Sequence, residues 1–200
     1  NIARVDRDSI RNKDALTDLL KKVHDREVDI LVGTQMLAKG HHFPNVTLAA
    51  ILDADASLFS SDFRGPEKLA QLLVQTAGRA GRAKIPGTAV IQTYQADHPT
   101  INILVNQGYN AFAEQELTSR HKSGLPPLGH MALFHAQAKD ATQAFALLSW
   151  LGEQIQDPAL QTLTQSLLLF GPMPAFMARR AHYYRAQLQL QHPSRKLLQQ

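Results

Sequence analysis

Short, continuously apolar runs separated by amphipathic segments constrain the fold of this chain more than any other feature. Residues 29–33 (DILVG) and 48–52 (LAAIL) have the pattern of strands buried on both faces of a parallel sheet. Residues 13–23 place leucine and valine at helical three-four spacing, residues 66–80 predict a second helix, and residues 88–94 predict another strand. This alternation over about ninety residues predicts an α/β fold with an open parallel sheet.

The strongest boundary signal is the segment LPPLG at residues 125–129. Two consecutive prolines remove two amide donors and fix φ, so neither a helix nor a sheet interior is expected to continue through them. A long helix over residues 101–122 is predicted before this segment, and a small two-layer α+β unit with an antiparallel or mixed sheet after it. The predicted elements of that unit are a strand at 130–138, a helix at 140–156, a strand at 167–170, a Gly-Pro-x-Pro loop at 171–174, a strand at 184–191 and a helix start at 193–194. We therefore expect two domains, residues 1–122 and 125–200.

Composition excludes several classes of protein. The chain has 200 residues, 44% of them hydrophobic, which is enough for a core, and its longest apolar runs are far shorter than a membrane span. It has no cysteine, which excludes disulfides and thiolate metal sites within it and agrees weakly with a reducing cytoplasm. Because the chain begins with Asn1 rather than methionine, we expect it to be a segment of a longer protein.

The excess of positive charge lies in the second half of the chain. Residues 1–124 carry 15 basic and 14 acidic side chains, whereas residues 125–200 carry 6 and 3. There Arg179, Arg180 and Arg185 flank two tyrosines, and cations interleaved with aromatic rings suit phosphates and unpaired bases. A cationic loop with half-buried tyrosines is an equally good interpretation. Nucleic-acid binding is our hypothesis for these three arginines.

The most specific motif is QTAGRAGR at residues 75–82. On a helix, Arg79 and Arg82 would point to nearly the same face, and a guanidinium is always charged and suits phosphate oxygens. Gly78 and Gly81 remove side-chain bulk beside them and allow another surface to approach. The pattern fits an arginine-finger element that reaches a nucleotide bound across a cleft. The alternative is a helix that ends in glycines and carries solvated arginines.

A second motif follows the predicted strand at 29–33. Thr34, Gln35, Lys39 and Gly40 belong to the segment TQMLAKG, at the carboxyl end of a strand, where ligands bind in open α/β sheets. A hydroxyl, an ammonium and a glycine at this place can hold a phosphodiester backbone without reading bases. An ordinary strand-to-helix loop with an exposed lysine is an equally good interpretation.

Together the two motifs resemble motifs V and VI of the superfamily 2 helicases, in the same order and about forty residues apart. The similarity is closest to the primosomal helicase family (primosomal protein N′, PriA), and it extends over essentially the whole chain. The segments that carry it are KGHHFP at 39–44, LDAD at 52–55, DFR at 62–64, QTAGRAGR at 75–82, LPP at 125–127, GPMP at 171–174 and LQHPSR at 190–195. The broader superfamily often has an acidic residue at the position of His42, so a direct ribose contact is not expected there.

This resemblance implies most of a RecA-like second helicase lobe, without its first strand and helix, followed by a C-terminal domain that binds DNA and partner proteins. The implied activity is ATP-dependent, 3′ to 5′ DNA unwinding at stalled forks, with loading of the replicative helicase. Arg79 and Arg82 would face the γ-phosphate, with Arg82 as the finger, and Gln75 would couple nucleotide state to motion. Gly40, Gly78 and Gly81 would lie on the nucleotide side, and Thr34, Gln35 and Lys39 near the DNA.

The resemblance also implies cofactors and partners. ATP and Mg²⁺ would be held mainly by the other lobe of the enzyme, and zinc is expected only upstream of this segment. The implied partners are branched and single-stranded DNA, the single-stranded-DNA-binding protein and other primosome proteins. The implied location is the cytoplasm, without a membrane.

Two absences in the sequence complete the prediction. The chain contains no GxxxxGK[ST] phosphate loop and no DExH acidic box, so we expect the isolated polypeptide not to hydrolyse ATP. Asp53 and Asp55 end a predicted strand and resemble a metal site, but their place among the motifs favours a structural role. A non-catalytic nucleic-acid or partner-binding module and another superfamily 2 fork-remodelling helicase are the alternative functions.

Overall fold

The described part of the computed structural model comprises residues 1–5, 13–34, 46–78, 80, 87–160 and 164–199. The chain divides into two compact units, the N-terminal unit of residues 1–113 and the C-terminal unit of residues 114–200. The boundary between the two units therefore lies earlier in the chain than the predicted domain boundary at residues 122–125. The assignment of residues 1–122 and 125–200 as functional domains stays a prediction. Within the described residues, none of the helices is long and apolar enough to cross a bilayer.

The N-terminal unit is built from parallel strands and helices, as its apolar runs predict. Strand β1 (Ile2–Val5) pairs with β2 (Ile30–Gly33), and α1 (Lys13–His24) lies between them in the sequence. Strand β3 (Leu48–Ile51) pairs with β4 (Thr88–Ile91). Both pairs are parallel, which confirms the α/β class. In the described residues the four strands form two two-stranded parallel sheets.

Strand β4 is shorter than the predicted strand at 88–94, for a local reason. Its pairing with β3 ends after Ile91, and the Gln92 amide donates to the carbonyl of Ile51 at 2.8 Å. The next two residues, Thr93 and Tyr94, turn their polar groups toward the side chain of Asp55. Side-chain hydrogen bonds thus replace strand pairing from Thr93 onward.

Helices α2 (Asp55–Leu58) and α3 (Gly65–Ala77) follow β3 and supply the core of this unit. The core consists of buried residues from the β3–α2 turn, both helices and α4 (Pro99–Asn106), namely Ala54, Leu58, Leu69 and Ile101, with Leu73 and Ile91 packed against them. Gly65 begins α3 close to the preceding turn: a Cβ at this position would lie 2.3 Å from the Ser57 carbonyl oxygen. Only glycine permits this approach between the two helices.

The predicted long helix at 101–122 is two helices in the structure, α4 and α5 (Gly108–Lys122). The break falls at Gln107. Gly108, the first residue of α5, has a φ of 85°, which the interior of a right-handed helix does not contain. At the other end, the His98 ring Nδ1 accepts a hydrogen bond from the Thr100 amide at 3.2 Å and caps α4. The helical periodicity of residues 101–122 did not reveal the break, because glycine is tolerated in such a pattern.

The C-terminal unit is an antiparallel sheet with one helix packed on it. Strands β5 (His130–Ala138), β6 (Leu168–Arg180) and β7 (Tyr183–His192) have the order β5–β7–β6, so β7 is central. Helix α6 (Ala141–Ile155) packs on one face through buried residues, namely Ala136, Ala144, Leu148, Ala186 and Leu188, and the short α7 (Arg195–Leu198) follows β7. The two-layer α+β prediction is confirmed, and of the two predicted sheet types the antiparallel one is present.

The predicted Gly-Pro-x-Pro loop at 171–174 is wrong, since these residues lie inside β6. Strand β6 is at the edge of the sheet and its register with β7 shifts between Phe170 and Met173 and again between Pro174 and Arg179. Proline lacks an amide donor and is accommodated at edge strands and register shifts. Sequence alone could not reveal that this strand is at an edge. The prediction that neither a helix nor a strand passes through LPPLG is confirmed, because Pro126 and Pro127 lie in a turn between α5 and β5.

Candidate nucleotide and nucleic-acid sites

Thr34 lies at the carboxyl edge of the β1–β2 pair, where the sequence predicts a phosphodiester contact. Its amide lies 3.4 Å from the Val5 carbonyl oxygen at the end of the neighbouring strand. Val5 is buried, whereas the Thr34 side chain is exposed, so its hydroxyl is accessible at this edge. Gln35, Lys39 and Gly40 lie outside the described residues, as do His41 and His42. The role of the segment stays a prediction.

The QTAGRAGR motif begins in the last turn of α3. Gln75 is half-buried there, and α3 ends at Ala77, three residues short of the predicted helix at 66–80. The Gly78 amide donates to the Val74 carbonyl at 2.9 Å and closes the helix. The prediction that the two arginines stand on the helix therefore has no support from α3 itself, which ends before them. Arg79, Gly81 and Arg82 lie outside the described residues.

Asp53 and Asp55, which resemble a metal site in the sequence, are occupied by hydrogen bonds within the N-terminal unit. Both oxygens of Asp55 accept, one from the Thr93 hydroxyl at 2.9 Å and one from the Tyr94 amide at 3.0 Å. Asp53 has a φ of 53°, and its carboxylate accepts from the Ala56 amide at 3.3 Å. Across the described ranges, no group of three or more His, Asp or Glu residues could hold a metal ion. The Asp55 side chain thus ties the end of β3 to the end of β4, whereas the Asp53 carboxylate caps the turn that follows β3.

A charge network that sequence reasoning missed surrounds Asp62, in the turn before α3. The carboxylate accepts from the Lys68 Nζ at 2.6 Å, from the Arg64 amide at 3.0 Å and from the Arg64 Nε at 3.3 Å. Partial burial of Asp62 acts to raise its pKa, but these hydrogen bonds and the charge of Lys68 outweigh it and lower the pKa from 3.8 to about 2. The Arg64 guanidinium also lies 5.7 Å from the centre of the Phe63 ring. The signal was present in the sequence as an acid followed by bases two and six residues later.

The three candidate DNA-binding arginines, Arg179, Arg180 and Arg185, lie on one hairpin. Arg179 and Arg180 end β6, Arg185 lies near the start of β7, and the connecting Ala181 and His182 both have positive φ, as tight hairpin turns require. The Arg179 guanidinium lies 5.2 Å from the centre of the Tyr184 ring, within cation–π range. The hypothesis that cations and aromatic rings share one surface is thus consistent with the geometry; that this surface binds nucleic acid stays a prediction.

Side chains alternate between the two faces of a strand, so the hairpin carries positive charge on both. Arg179 is paired with Tyr184, on the face that α6 covers farther along the sheet at Ala186. Arg180 is paired with Tyr183, and these two share the other face with Arg185. The sequence showed the cluster of charges, whereas their division between two faces required the strand register.

The LQHPSR segment forms the end of β7 and the start of α7. His192 is buried; its Nδ1 accepts from the Ser194 amide at 2.8 Å, and its Nε2 lies 2.9 Å from the Gln165 carbonyl oxygen. This histidine is structural, because both ring nitrogens are used within the C-terminal unit. Beyond it, a cleft of about 420 Å³ is lined by residues of the proline turn, β5 and α7, among them Pro126, Met131, Arg195 and Leu198.

Comparisons with known proteins match a different family domain to each unit of the chain. Residues 2–84 match the helicase conserved C-terminal domain, and residues 121–200 match the primosomal protein N C-terminal domain. The chain is 48% identical over 199 residues, 100% of its length, to replication restart protein PriA of Haemophilus influenzae. It is 36% identical to the proteins of that name from Synechocystis and Bacillus subtilis, over 96% and 93% of the chain. The chain belongs to the PriA family of replication restart proteins.

Both groups of candidate residues lie within the matched ranges. The helicase match runs from β1 through the QTAGRAGR motif, and the C-terminal match contains the hairpin and the LQHPSR segment. The resemblance inferred from the motifs is therefore confirmed. The chain spans about a quarter of the length of these relatives, namely 27%, 22% and 23%.

Proposed function

We propose that this chain supplies the second motor lobe and the C-terminal DNA-binding part of an ATP-dependent helicase that unwinds DNA 3′ to 5′ at stalled forks. The complete enzyme would restart replication in the cytoplasm by assembling a primosome, with the single-stranded-DNA-binding protein and other primosome proteins as partners. The observation that carries the proposal is 48% identity along the whole chain to a replication restart protein.

The nucleotide part of the proposal rests on the QTAGRAGR motif within the helicase match. Arg82 would act as the arginine finger and Arg79 would assist it on the γ-phosphate, while ATP and Mg²⁺ are held mainly by the other lobe. A finger guanidinium stabilises charge that develops on the transferred phosphoryl group. Gln75, at the end of α3, would link the nucleotide to motion, and Gly40, Gly78 and Gly81 would keep the cleft open to the phosphates.

The DNA part of the proposal rests on charge and position. Thr34 is exposed at the carboxyl edge of the β1–β2 pair, and Gln35 and Lys39 would continue the contact along the phosphodiester backbone. In the C-terminal unit, residues 158–200 contain five basic residues and no acidic residue. Arg179, Arg180 and Arg185 would therefore meet phosphates without competing carboxylates from this segment.

A chimaera tests the motor assignment. The Haemophilus influenzae relative would carry this chain in place of its own matching segment, and DNA-dependent ATP hydrolysis and unwinding of a forked substrate would be measured. We expect the chimaera to be active and Arg82→Ala to lower ATP turnover about 10³-fold or more. Lys21→Ala, which removes an exposed cation from α1, is the matched control. An active Arg82→Ala chimaera would refute the finger role, and a folded but inactive chimaera would refute the motor assignment.

The isolated chain gives a second test, since it lacks a phosphate loop. We expect no ATP hydrolysis by the purified polypeptide, with or without DNA; DNA-stimulated turnover would contradict the proposal and favour a complete catalytic site within the chain. Binding to forked DNA should weaken in an Arg179/Arg180/Arg185 triple alanine variant, with a smaller salt dependence of affinity, by about 0.9 in slope for each lost phosphate contact. The control removes three exposed cations elsewhere, in Lys21/Lys22/Arg26 triple alanine.

A further inference from the structure

An exposed apolar projection lies beside the arginines of the β6–β7 hairpin. Phe176 is 83% exposed and Met177 is 49% exposed, although both lie within a strand. Pairing with β7 is interrupted at this place: Pro174 pairs with Ala186 and Arg179 pairs with Tyr184, so residues 175–178 stand opposite Arg185 alone. Four residues against one form a bulge, and bulges redirect side chains away from the plane of a sheet.

The bulge is anchored on both sides, so the projection has a fixed base. Ala175, next to Phe176, is 5% exposed, and Ala186, opposite Pro174, is fully buried in the core under α6. On the other side the Arg179 guanidinium lies over the Tyr184 ring. A phenylalanine side chain exposed to water lacks the favourable free energy of apolar burial. Its ring presents a flat apolar face that suits an unstacked base.

The charges around the projection favour a polyanion over a second copy of this chain, because the same surface of a second copy would carry the same positive charge. Residues 158–200 contain no acidic residue, and Asp140, which follows the end of β5, accepts a hydrogen bond from the Thr142 amide and caps α6. The hairpin carries Arg179 on one face and Arg180 and Arg185 on the other. Cations on two faces of the hairpin, together with an exposed aromatic ring in the adjoining bulge, match two DNA strands that diverge from a duplex.

We propose that the β6–β7 hairpin is a wedge at the junction of double-stranded and single-stranded DNA. The Phe176 ring stacks on the last base pair or on the first unpaired base, with Met177 beside it, and the arginines of the two faces hold phosphates of the separating strands. Side chains that insert between bases replace lost base stacking by contact with an apolar surface. This inference rests on the proposed DNA binding. It adds that the hairpin binds at the junction of the DNA and that Phe176 recognises this junction.

The test uses the full chain and three DNAs: a fork, a blunt duplex of the same sequence and a single strand. A 2-aminopurine at the first paired position of the fork reports unstacking by a rise in fluorescence. We expect the chain to prefer the fork over the blunt duplex and to raise the fluorescence. Phe176→Ala should lower fork affinity about 5- to 150-fold, the range for loss of one stacked base, abolish the fluorescence rise and leave duplex binding within about twofold.

The matched control is Phe170→Ala, which removes another exposed phenylalanine of the same strand, outside the bulge. It should keep both the fork preference and the fluorescence rise, and Phe176→Trp should restore them. Because the Phe176 side chain is almost wholly exposed, thermal unfolding of Phe176→Ala should match that of the parent chain.

The outcomes separate the wedge from the DNA binding on which it rests. If the parent chain binds none of the three DNAs, the proposed DNA-binding function of this unit fails and the wedge fails with it. A second outcome would be that the parent binds the fork, that the triple arginine variant does not, and that Phe176→Ala unstacks the junction as well as the parent. The DNA-binding proposal would then stand, and the wedge would be overturned. A concentration-dependent dimer that Phe176→Ala abolishes, without any change in fork binding, would also overturn it and assign the projection to self-association.

Discussion

The two units of this chain use their strands in different ways. In the N-terminal unit, each described strand pairs with one neighbour and in parallel, and apolar strand residues such as Ile30, Val32 and Leu48 are about half exposed. In the C-terminal unit, β7 is paired on both edges and α6 covers one face, so Leu188 is fully buried. Parallel strands are usually covered on both faces, and the described part of the N-terminal unit covers its strands far less completely than the C-terminal unit covers β7.

This difference changes how candidate functional residues are held. In the N-terminal unit, Thr34 directly follows β2 and Gln75 lies in the last turn of α3. Turns of this unit are held by single side chains, Asp55 between β3 and β4 and Asp62 before α3. In the C-terminal unit, the arginines lie within two strands of one sheet, and Arg179 and Arg180 pair directly with Tyr184 and Tyr183 of the central strand β7. Loss of one side chain should therefore disturb the site locally in the first unit, whereas the hairpin should tolerate such changes.

The largest expected effects come from the two cores. Leu69→Ala in the N-terminal unit and Leu188→Ala in the C-terminal unit each remove a side chain that is buried to 1% exposure or less. Each should lower the free energy of unfolding of its own unit by about 2–5 kcal/mol, from lost transfer energy and the cavity left behind. Amide hydrogen exchange read separately over the two units measures this, with the exposed Leu147→Ala on α6 as control.

If the two units are independent, each core substitution should leave protection in the other unit unchanged. Equal loss of protection in residues 1–113 and 114–200 after Leu188→Ala would contradict the comparison, since the units would then unfold together.

A smaller effect is expected at Asp55, which holds the ends of β3 and β4 together. Asp55→Asn keeps the shape but removes the charge and one acceptor, so the bonds from Thr93 and Tyr94 weaken. Hydrogen bonds to charged groups contribute about 1.5–3 kcal/mol, and we expect a loss of about 2 kcal/mol in the N-terminal unit. Faster exchange of the Tyr94 amide and a lower unfolding midpoint measure it. The exposed Asp97→Asn nearby should change neither, and an unaffected Tyr94 amide in Asp55→Asn would refute the tie.

Elements that depend on nearest neighbours could be predicted from the sequence. The bounds of β5 coincide with the predicted 130–138. Helix α1 differs from the prediction by one residue at its end and α6 by one residue at each end, because side-chain periodicity is local. The break at Gln107 and the passage of β6 through two prolines depend on which strand or helix lies alongside. Periodicity contains no such information.

The same limit applies to the candidate sites. Arg179, Arg180 and Arg185 were visible because charge clusters are a property of sequence, and so were the glycines and arginines of the motif at 75–82. The exposure of Phe176 was not, since the segment around it has an ordinary apolar composition and only the register shift opposite Arg185 turns the ring outward.

A smaller effect is expected at Asp140, the N-cap residue of α6 in the C-terminal unit. The Asp140 carboxylate accepts from the Thr142 amide at 2.9 Å and caps α6, the helix that covers the C-terminal core. Asp140→Ala should destabilise the C-terminal unit by about 1 kcal/mol, the usual contribution of an N-cap, and speed exchange of the first-turn amides of α6. Glu153→Ala, at the other end of the same helix, is the control and should be close to neutral. A loss confined to residues 1–113 would contradict the assignment of this cap to the C-terminal unit.

The smallest effect, and the one that depends on pH, concerns Asp62. The pKa of Asp62 is about 2 in the folded chain, below its ordinary value of 3.8, so the folded state favours the charged carboxylate. The resulting stability is present above pH 3.8 and is lost as the pH falls toward 2. Because Lys68 and Arg64 are about half exposed, solvent screens the interaction, and we expect less than about 1 kcal/mol. Unfolding of the parent and of Asp62→Asn measured from pH 5 to pH 2 should converge at the acid end and differ above pH 4 in the N-terminal unit, with Asp97→Asn following the parent throughout. A difference in stability between the parent and Asp62→Asn that persisted undiminished at pH 2 would show that Asp62 stabilises the turn by its shape rather than by its charge. The charge of Asp62 would then contribute nothing to the side-chain bonds that distinguish the N-terminal unit from the C-terminal unit.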